Sequence, residues 1–109
     1  MNLTDKKCVA CEGGMPPLGK EGAAEYLPQV SEWIPNADST AISREFSFAD
    51  FKQAMVFINK VAGLAESEGH HPDIYIFYNR VKLELSTHAI GGLSENDFIL
   101  AAKIDKIER

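Results

Sequence analysis

The most regular pattern of apolar positions along the chain lies between residues 51 and 65. Its apolar residues recur at steps of three and four, the spacing of one helix face; they are Phe51, Ala54, Met55, Ile58, Val61, Ala62 and Ala65. In front of them, Ser47 and Asp50 have the spacing of a capping box, with Ser47 as the N-cap. Gly69 and Pro72 end the pattern. We therefore predict an amphipathic helix that begins just after Ser47, ends before Gly69 and covers a core with one face.

In the sequence before and after this helix, apolar residues alternate with polar ones, as they do in half-buried strands. Residues 33–34 and 41–46 flank a turn-like Pro-Asn-Ala-Asp-Ser run and predict a first hairpin. Residues 74–78 and 81–87 predict a second hairpin, closed by a tight turn at Asn79-Arg80. One face of its second strand is apolar and is expected to meet a core.

Two further helices complete the pattern. Residues 22–27 predict a short helix that Pro28 disturbs, and Ser94 and Asp97 form a capping box for a last helix that runs to about Ile107. The order helix, hairpin, helix, hairpin, helix predicts an α+β fold. In this fold, α-β-β-α-β-β-α, a four-stranded antiparallel sheet carries three helices packed on one face.

The length and composition of the chain fit one globular domain. Its 109 residues leave no room for a second core, and 45% hydrophobic with 25% charged residues is ordinary globular usage. Residues 1–20 are rich in Gly, Pro and Lys and are expected to form an irregular N-terminal arm, and residues 21–109 the single domain.

The charge of the chain excludes one class of partner. Lys and Arg number 11 against 16 Asp and Glu, which gives a net charge of −5, and no basic run offers counter-charge to a phosphate backbone. Direct nucleic-acid binding is therefore not expected. No leader-like apolar stretch follows the first residues and no run is long enough to span a membrane, so we expect a cytoplasmic protein without a membrane partner.

Cys8 and Cys11 are the only cysteines and have the C-x-x-C spacing of zinc and redox sites. A structural zinc ion needs a complete tetrahedral ligand set, and a thioredoxin-like pair belongs at a strand-to-helix junction. Here the pair runs into Gly13-Gly14-Met15-Pro16-Pro17, a stretch of loop-forming residues. We favour a plain N-terminal segment over either role.

The three histidines of the chain are the main candidates for chemistry. His70 and His71 lie at the junction of the central helix with the second hairpin, and His88 follows the last strand. Imidazole has an ordinary pKa of about 6.5, so it donates or accepts protons at neutral pH. The alternatives are surface or packing histidines, and a zinc site, for which adjacent histidines lack the usual helical spacing. No G-x-S-x-G elbow, P-loop or dinucleotide fingerprint is present.

With these residues in view, the chain resembles the pterin-4a-carbinolamine dehydratase family, also known as dimerisation cofactors of a homeodomain transcription factor. The motif is carried by Glu66, His70-His71-Pro72, Tyr78, His88 and Asp97, and the resemblance extends from Trp33 into the last helix, about 70% of the chain. The arm with Cys8 and Cys11 looks like a bacterial version. Gly69 is a departure, since some relatives carry Asp or Asn there.

This resemblance implies a hydro-lyase that dehydrates 4a-hydroxytetrahydrobiopterin, a pterin-4a-carbinolamine, to quinonoid dihydropterin and water. The step belongs to tetrahydrobiopterin recycling after aromatic amino-acid hydroxylation. The implied catalytic residues are His70, His71 and His88, with His70 and His88 as the acid–base pair and His71 positioning the substrate. Loss of water needs only proton movement, so neither a metal nor an organic cofactor is expected.

The substrate-binding residues that the resemblance implies are Glu66, Pro72, Ser86 and Thr87. Glu66 is expected to orient a histidine, and Ser86 and Thr87 to meet the amide-like edge of the pterin through backbone or hydroxyl groups. Asp97 has a sufficient structural reason as the N3 residue of the last helix, and Tyr78 is equally well explained by packing.

Two other functions and several partners stay open at this stage. The domain is alternatively a non-catalytic dimerisation or regulatory binding module, or it acts on a molybdopterin-related pterin. Relatives assemble as dimers or tetramers, and an open sheet leaves edges that need a partner, so a homodimer or homotetramer is expected. An aromatic amino-acid hydroxylase is the expected partner in the pathway.

Overall fold

A computed structural model describes residues 2–9 and 15–109. Within these residues the fold has three α-helices and four strands, in the predicted order α-β-β-α-β-β-α. The elements are α1 (Gly19–Tyr26), β1 (Ile34–Pro35), β2 (Ile42–Ser47), α2 (Phe51–Glu68), β3 (Asp73–Phe77), β4 (Arg80–Leu85) and α3 (Glu95–Asp105). The predicted α+β fold is confirmed. No helix among the described residues is long and apolar enough to cross a membrane.

The four strands form one antiparallel sheet in the order β1-β2-β4-β3. β2 pairs with β4 over its whole length, from Ile42 opposite Leu85 to Ser47 opposite Arg80. β3 lies at the outer edge beside β4, and all of its five residues are exposed. One long edge of the sheet is therefore left open.

One face of the sheet carries the core. The inward residues of β4 are buried, as their alternation predicts, and the intervening ones are half-buried. They share a buried cluster with residues of the helices, among them Phe57 and Val61 of α2 and Phe98, Leu100 and Ile104 of α3. Phe57 was missing from the predicted α2 stripe, and Phe51 and Ala62, which were included, are exposed. The helix is therefore rotated slightly relative to the predicted apolar face.

The predicted start of α2 is wrong by three residues. Asp50 is the N-cap, and its carboxylate accepts a hydrogen bond from Gln53 N at 2.8 Å. Ser47, the predicted cap, is instead the last residue of β2, where it pairs with Arg80. Ladder pairing with β4 continues to Ser47, so the helix begins only after the sheet has ended.

The second hairpin turns one residue earlier than predicted. Its loop is Tyr78-Asn79, and Arg80 already belongs to β4. Tyr78 has φ 56°, the left-handed conformation that a tight hairpin turn requires. Phe48 N donates to Asn79 O at 2.8 Å, and the Asn79 side chain donates to Phe48 O at 3.0 Å. This turn is therefore fastened to the segment that leads into α2.

The N-terminal segment has more regular structure than its composition indicated. α1 begins at Gly19, three residues before the predicted start, and a 3-10 turn at Leu27–Val30 follows it at the predicted disturbance. Leu3 lies in another 3-10 turn and is 2% exposed, within the main core. The division into an arm and a domain at residue 21 stays a prediction.

Candidate active site

A cavity of about 260 Å³ lies where the C-terminal end of α2, the end of β4 and the first turn of α3 meet. Five of the residues that the sequence analysis singled out line it: His70, His71, Ser86, Thr87 and His88. The structure therefore brings all three histidines to one cavity, although 16 residues separate the pair from His88 along the sequence.

The end of α2 determines where the histidine pair lies. Gly69 is the C-cap with φ 66°, a left-handed conformation that favours Gly and, less strongly, Asn or Asp. The His70 N–H then donates back to Ala65 O at 3.3 Å, which closes the helix end. Gly69 thus meets a backbone requirement, and the chain reverses so that His70 and His71 reach the cavity.

His70 is held by a buried carboxylate. Its Nε2 lies 2.6 Å from Asp97 Oδ1, and the side chains of His70 and Asp97 are 12% and 0% exposed. The other oxygen, Asp97 Oδ2, accepts hydrogen bonds from Thr87 Oγ1 at 2.8 Å and from Ser94 N at 3.0 Å. The predicted capping box of α3 is present. Asp97 therefore does more than cap, because the same carboxylate fixes the His70 ring.

Thr87 serves this carboxylate rather than the open cavity. Its side chain contacts Ser94 Oγ at 2.7 Å as well as Asp97, and the residue is 4% exposed. Its N–H donates to Gly92 O at 2.7 Å. Both Thr87 donors are engaged within the protein, so Ser86, which is half-buried, is the better placed of the two to meet a ligand.

His71 has a very different setting from its neighbour. Its Nε2 pairs with Glu66 Oε2, and the two side chains are 59% and 78% exposed. Glu66 does not line the cavity, but it contacts His71, which does. Its orienting role stays a prediction. Pro72 is half-buried and also lies outside the lining.

His88 reaches the cavity from the loop that follows β4. It opens a 3-10 turn, His88–Ile90, which Gly91 ends with φ 68°. The antiparallel bridge between Thr87 and Gly92 closes this loop at its base. The ring of His88 is exposed and lines the cavity, so it is accessible to a bound molecule. Tyr78 lies elsewhere, 66% exposed and stacked on Phe51.

A cluster of charged residues surrounds Glu68 at the C-terminal end of α2. Glu68 is 7% exposed at its side chain, and it accepts hydrogen bonds from Cys8 N at 2.9 Å and Lys103 Nζ at 2.7 Å. Burial alone would raise the pKa of Glu68, but these two hydrogen bonds and the positive charges of Lys103 and Lys7 together hold the pKa below its ordinary value. Burial, with Glu68 nearby, raises the pKa of the Cys8 thiol to about 12. Cys8 is therefore a protonated thiol at neutral pH.

Of the two cysteines, Cys8 lies within the described residues. Cys11 lies outside the described residues, so the geometry of the C-x-x-C pair is not described. Among residues 2–9 and 15–109, no three His, Cys, Asp or Glu side chains come together in an arrangement that would hold a metal ion.

Residues 16–107 match the family model described as pterin 4 alpha carbinolamine dehydratase. The chain belongs to this family. A member is by class a hydro-lyase, because dehydration removes water from the substrate.

Similar proteins match this chain over almost its whole length. One from Nitrosomonas eutropha, provisionally named a pterin-4-alpha-carbinolamine dehydratase, is 52% identical over 97% of this chain and 93% of its own. Another of the same provisional name, from Halorhodospira halophila, is 48% identical over 98% of both chains. A crystal structure from Brucella melitensis, described as a transcriptional coactivator/pterin dehydratase, has a TM-score of 0.76 at 35% identity. It covers 82% of this chain and 95% of its own.

Proposed function

We propose that this member of the family dehydrates 4a-hydroxytetrahydrobiopterin to quinonoid dihydropterin and water by histidine general acid–base catalysis. The observation that carries the proposal is the single cavity lined by His70, His71 and His88, with His70 held by the buried Asp97. The family membership and the names of the relatives support the reaction class.

The reaction requires two proton transfers and no change of oxidation state. The bond between C4a and the hydroxyl oxygen breaks as that oxygen takes up a proton and leaves as water. The proton on N5 is removed, and the electron pair that it leaves on N5 forms the N5–C4a double bond. Two groups with a pKa near neutrality, one on each side of the ring, satisfy both transfers. His70 reaches the cavity from the end of α2 and His88 from the loop after β4, and we propose these two residues as the acid–base pair.

The contact with Asp97 favours one of the two roles, general base or general acid, for His70. An ionised carboxylate only accepts hydrogen bonds, so the Nε2 of His70 that meets it carries a proton. Nδ1 is then the nitrogen that exchanges a proton with the substrate. The Asp97 charge also stabilises the imidazolium that forms when His70 accepts a proton. We therefore assign His70 as the base at N5 and His88 as the acid at the leaving hydroxyl.

His71 and Ser86 fit binding roles better. His71 is oriented by an exposed carboxylate, Glu66, and such a pair is worth little beyond orientation. Ser86 is half-buried and lines the cavity, which supports a role for it in binding the polar edge of a pterin.

The proposal is tested by following the decay of a 4a-hydroxytetrahydropterin by its ultraviolet absorbance with purified protein. We expect the protein to accelerate the decay, and His70→Ala and His88→Ala each to remove most of the acceleration. Unchanged rates in both variants would sink the mechanism. A chelator-treated sample that loses activity and regains it with added zinc would overturn the metal-free mechanism.

We also propose that the protein is a cytoplasmic homodimer or homotetramer that works beside an aromatic amino-acid hydroxylase. Supporting the oligomer, the edge strand β3 exposes Ile74, Tyr75, Ile76 and Phe77 to between 37% and 53%. An edge strand with apolar side chains on both faces is a natural site of pairing with another copy. Sedimentation analysis that finds a monomer at micromolar concentration would contradict this part.

A further inference from the structure

We define residues 6–9 as the N-terminal strap. The strap joins two helix ends that border the cavity, the end of α2 and the start of α3. Its residues contact the last turn of α2 and the first turn of α3. The contacts are Lys6 Nζ to Glu95 Oε2 at 2.6 Å, Lys7 Nζ to Ser67 O at 2.9 Å and Cys8 N to Glu68 Oε1 at 2.9 Å. The strap therefore crosses between the helix that ends just before His70 and the helix that carries Asp97.

Val9 is the strap residue that reaches the cavity, and a side-chain amide fixes its backbone. Val9 N donates to Asn96 Oδ1 at 3.0 Å, and Asn96 Nδ2 donates to Val9 O at 2.5 Å. The Asn96 amide thus pairs with Val9 as a neighbouring strand would. Asn96 is 4% exposed and precedes Asp97, so the clamp is built on a buried, well-positioned residue.

The backbone of Val9 is held in place, whereas the residue itself is left exposed. It is 70% exposed and lines the same cavity as the three histidines. Most of the other side chains in the lining are polar, whereas a planar bicyclic ligand needs apolar surface against its face as well as polar groups at its edge. A fixed, exposed valine at this wall supplies such a surface without an entropic cost for ordering the strap.

We propose that Val9 packs against the ring face of the substrate, and that Asn96 is the positioning residue that holds Val9 there. The strap is thereby part of the substrate-binding site. This inference rests on the proposed function, since the substrate is a pterin. The Val9 side chain has no group that exchanges protons, so it affects substrate affinity rather than the proton-transfer step.

The first experiment compares Val9→Ala with a matched control, Ile34→Ala. Ile34 is 67% exposed on β1 and does not line the histidine cavity. Removing two methyl groups from an apolar contact is expected to raise KM about 3- to 10-fold. We expect kcat to stay within about twofold for Val9→Ala, because uniform binding is what is lost. The control is expected to keep both constants.

The second experiment asks whether Asn96 acts through Val9. Asn96→Ala is expected to raise KM, and the double variant with Val9→Ala to show little further increase, because both changes remove one contact. Additive effects would overturn the positioning role of Asn96. If Asn96→Ala does not fold, the comparison of Val9→Ala with Ile34→Ala alone decides the inference.

The outcomes separate this inference from the proposed function. Wild-type protein that does not accelerate dehydration would refute the proposed function itself. Wild-type protein that is active, with a Val9→Ala variant of unchanged KM, would leave the function intact and refute the role of Val9. A KM that rises equally in Ile34→Ala would also refute it, because the effect would then not belong to the cavity wall.

Discussion

His70 and His71 are adjacent in sequence, and each pairs with a carboxylate, but the two pairs lie in opposite environments. The side chains of His70 and Asp97 are 12% and 0% exposed, whereas those of His71 and Glu66 are 59% and 78% exposed. Asp97 is held by two further hydrogen bonds from the protein, from Thr87 and Ser94. The first pair is therefore preorganised and poorly screened, and the second is loosely held and screened by water.

The comparison shows that the same pair of residue types is suited to different tasks. A buried, fixed histidine–aspartate pair keeps its geometry and charge through a proton transfer without waiting for solvent to reorganise. An exposed histidine–glutamate pair adjusts to a ligand but adds little free energy. Four predictions test this contrast, from the largest expected effect to the smallest.

Replacing His70 by Gln is expected to have the largest effect. Glutamine keeps a polar side chain near Asp97 but cannot accept and return a proton, so kcat should fall about 10²- to 10⁴-fold, with a smaller change in KM. Steady-state kinetics of dehydration measure this. A His71→Gln variant that is equally impaired would abolish the proposed difference between the two histidines.

Replacing Asp97 by Asn is expected to lower kcat about 10- to 100-fold, because the charge that stabilises the His70 imidazolium is lost. An amide oxygen is still able to accept the hydrogen bond from Ser94 N, so the cap of α3 is largely kept. We expect the free energy of unfolding to fall by about 1–3 kcal/mol, measured in urea. Wild-type activity in a folded Asp97→Asn protein would show that the pair is structural only.

The sequence alone predicted the fold and singled out the three histidines as candidates for chemistry, and its errors have a common cause. Ser47 and Asp50 both precede apolar residues with good capping chemistry, and only the pairing of Ser47 with Arg80 across β2 and β4 decides between them. The capping role of Asp97 is local and was predicted correctly. Its contact with His70 spans 27 residues, and no local pattern reveals it.

Val9 shows the same limit in a stronger form. A single valine in a segment rich in Gly and Pro carries no periodic signal, and its partner Asn96 lies 87 residues further along the chain. Periodicity and capping rules describe neighbours along the sequence, whereas the cavity is formed by contacts between the ends of distant elements. The histidines were found because their chemistry is distinctive, and Val9 was not because its chemistry is ordinary.

Glu68 extends the comparison to two carboxylates on one helix, since Glu66 lies two positions away and is exposed. The pKa of Glu68 is lowered in the folded protein, so its stabilisation is present above the ordinary value of 4.5 and is lost as the pH falls through that value toward the folded pKa. Glu68→Gln is expected to cost about 1–2 kcal/mol at pH 7 and less in acid. Urea unfolding of both proteins at pH 7 and in acid measures this. A difference that grows on acidification would contradict the assignment.

The smallest effects are expected at the exposed pair. Glu66→Gln should change the free energy of unfolding by less than about 0.5 kcal/mol and KM by no more than about threefold, because exposed ion pairs contribute little. The matched comparison is Glu68→Gln on the same helix. A loss of stability at Glu66 as large as that at Glu68 would show that burial does not separate the two carboxylates.

The position of Asp97 in the first turn of α3 links the His70–Asp97 pair to the docking of that helix. The other end of the same helix, Asp105, accepts hydrogen bonds from Trp33 Nε1 at 2.8 Å and from Arg44 Nη1 at 2.6 Å. Trp33 is the only tryptophan of the chain, so its fluorescence reports on the docking of the helix that orients His70. The protein thus carries an intrinsic optical probe of the assembly of the His70–Asp97 pair. In a refolding experiment, the fluorescence and the enzymatic activity should return together if this pair is catalytic.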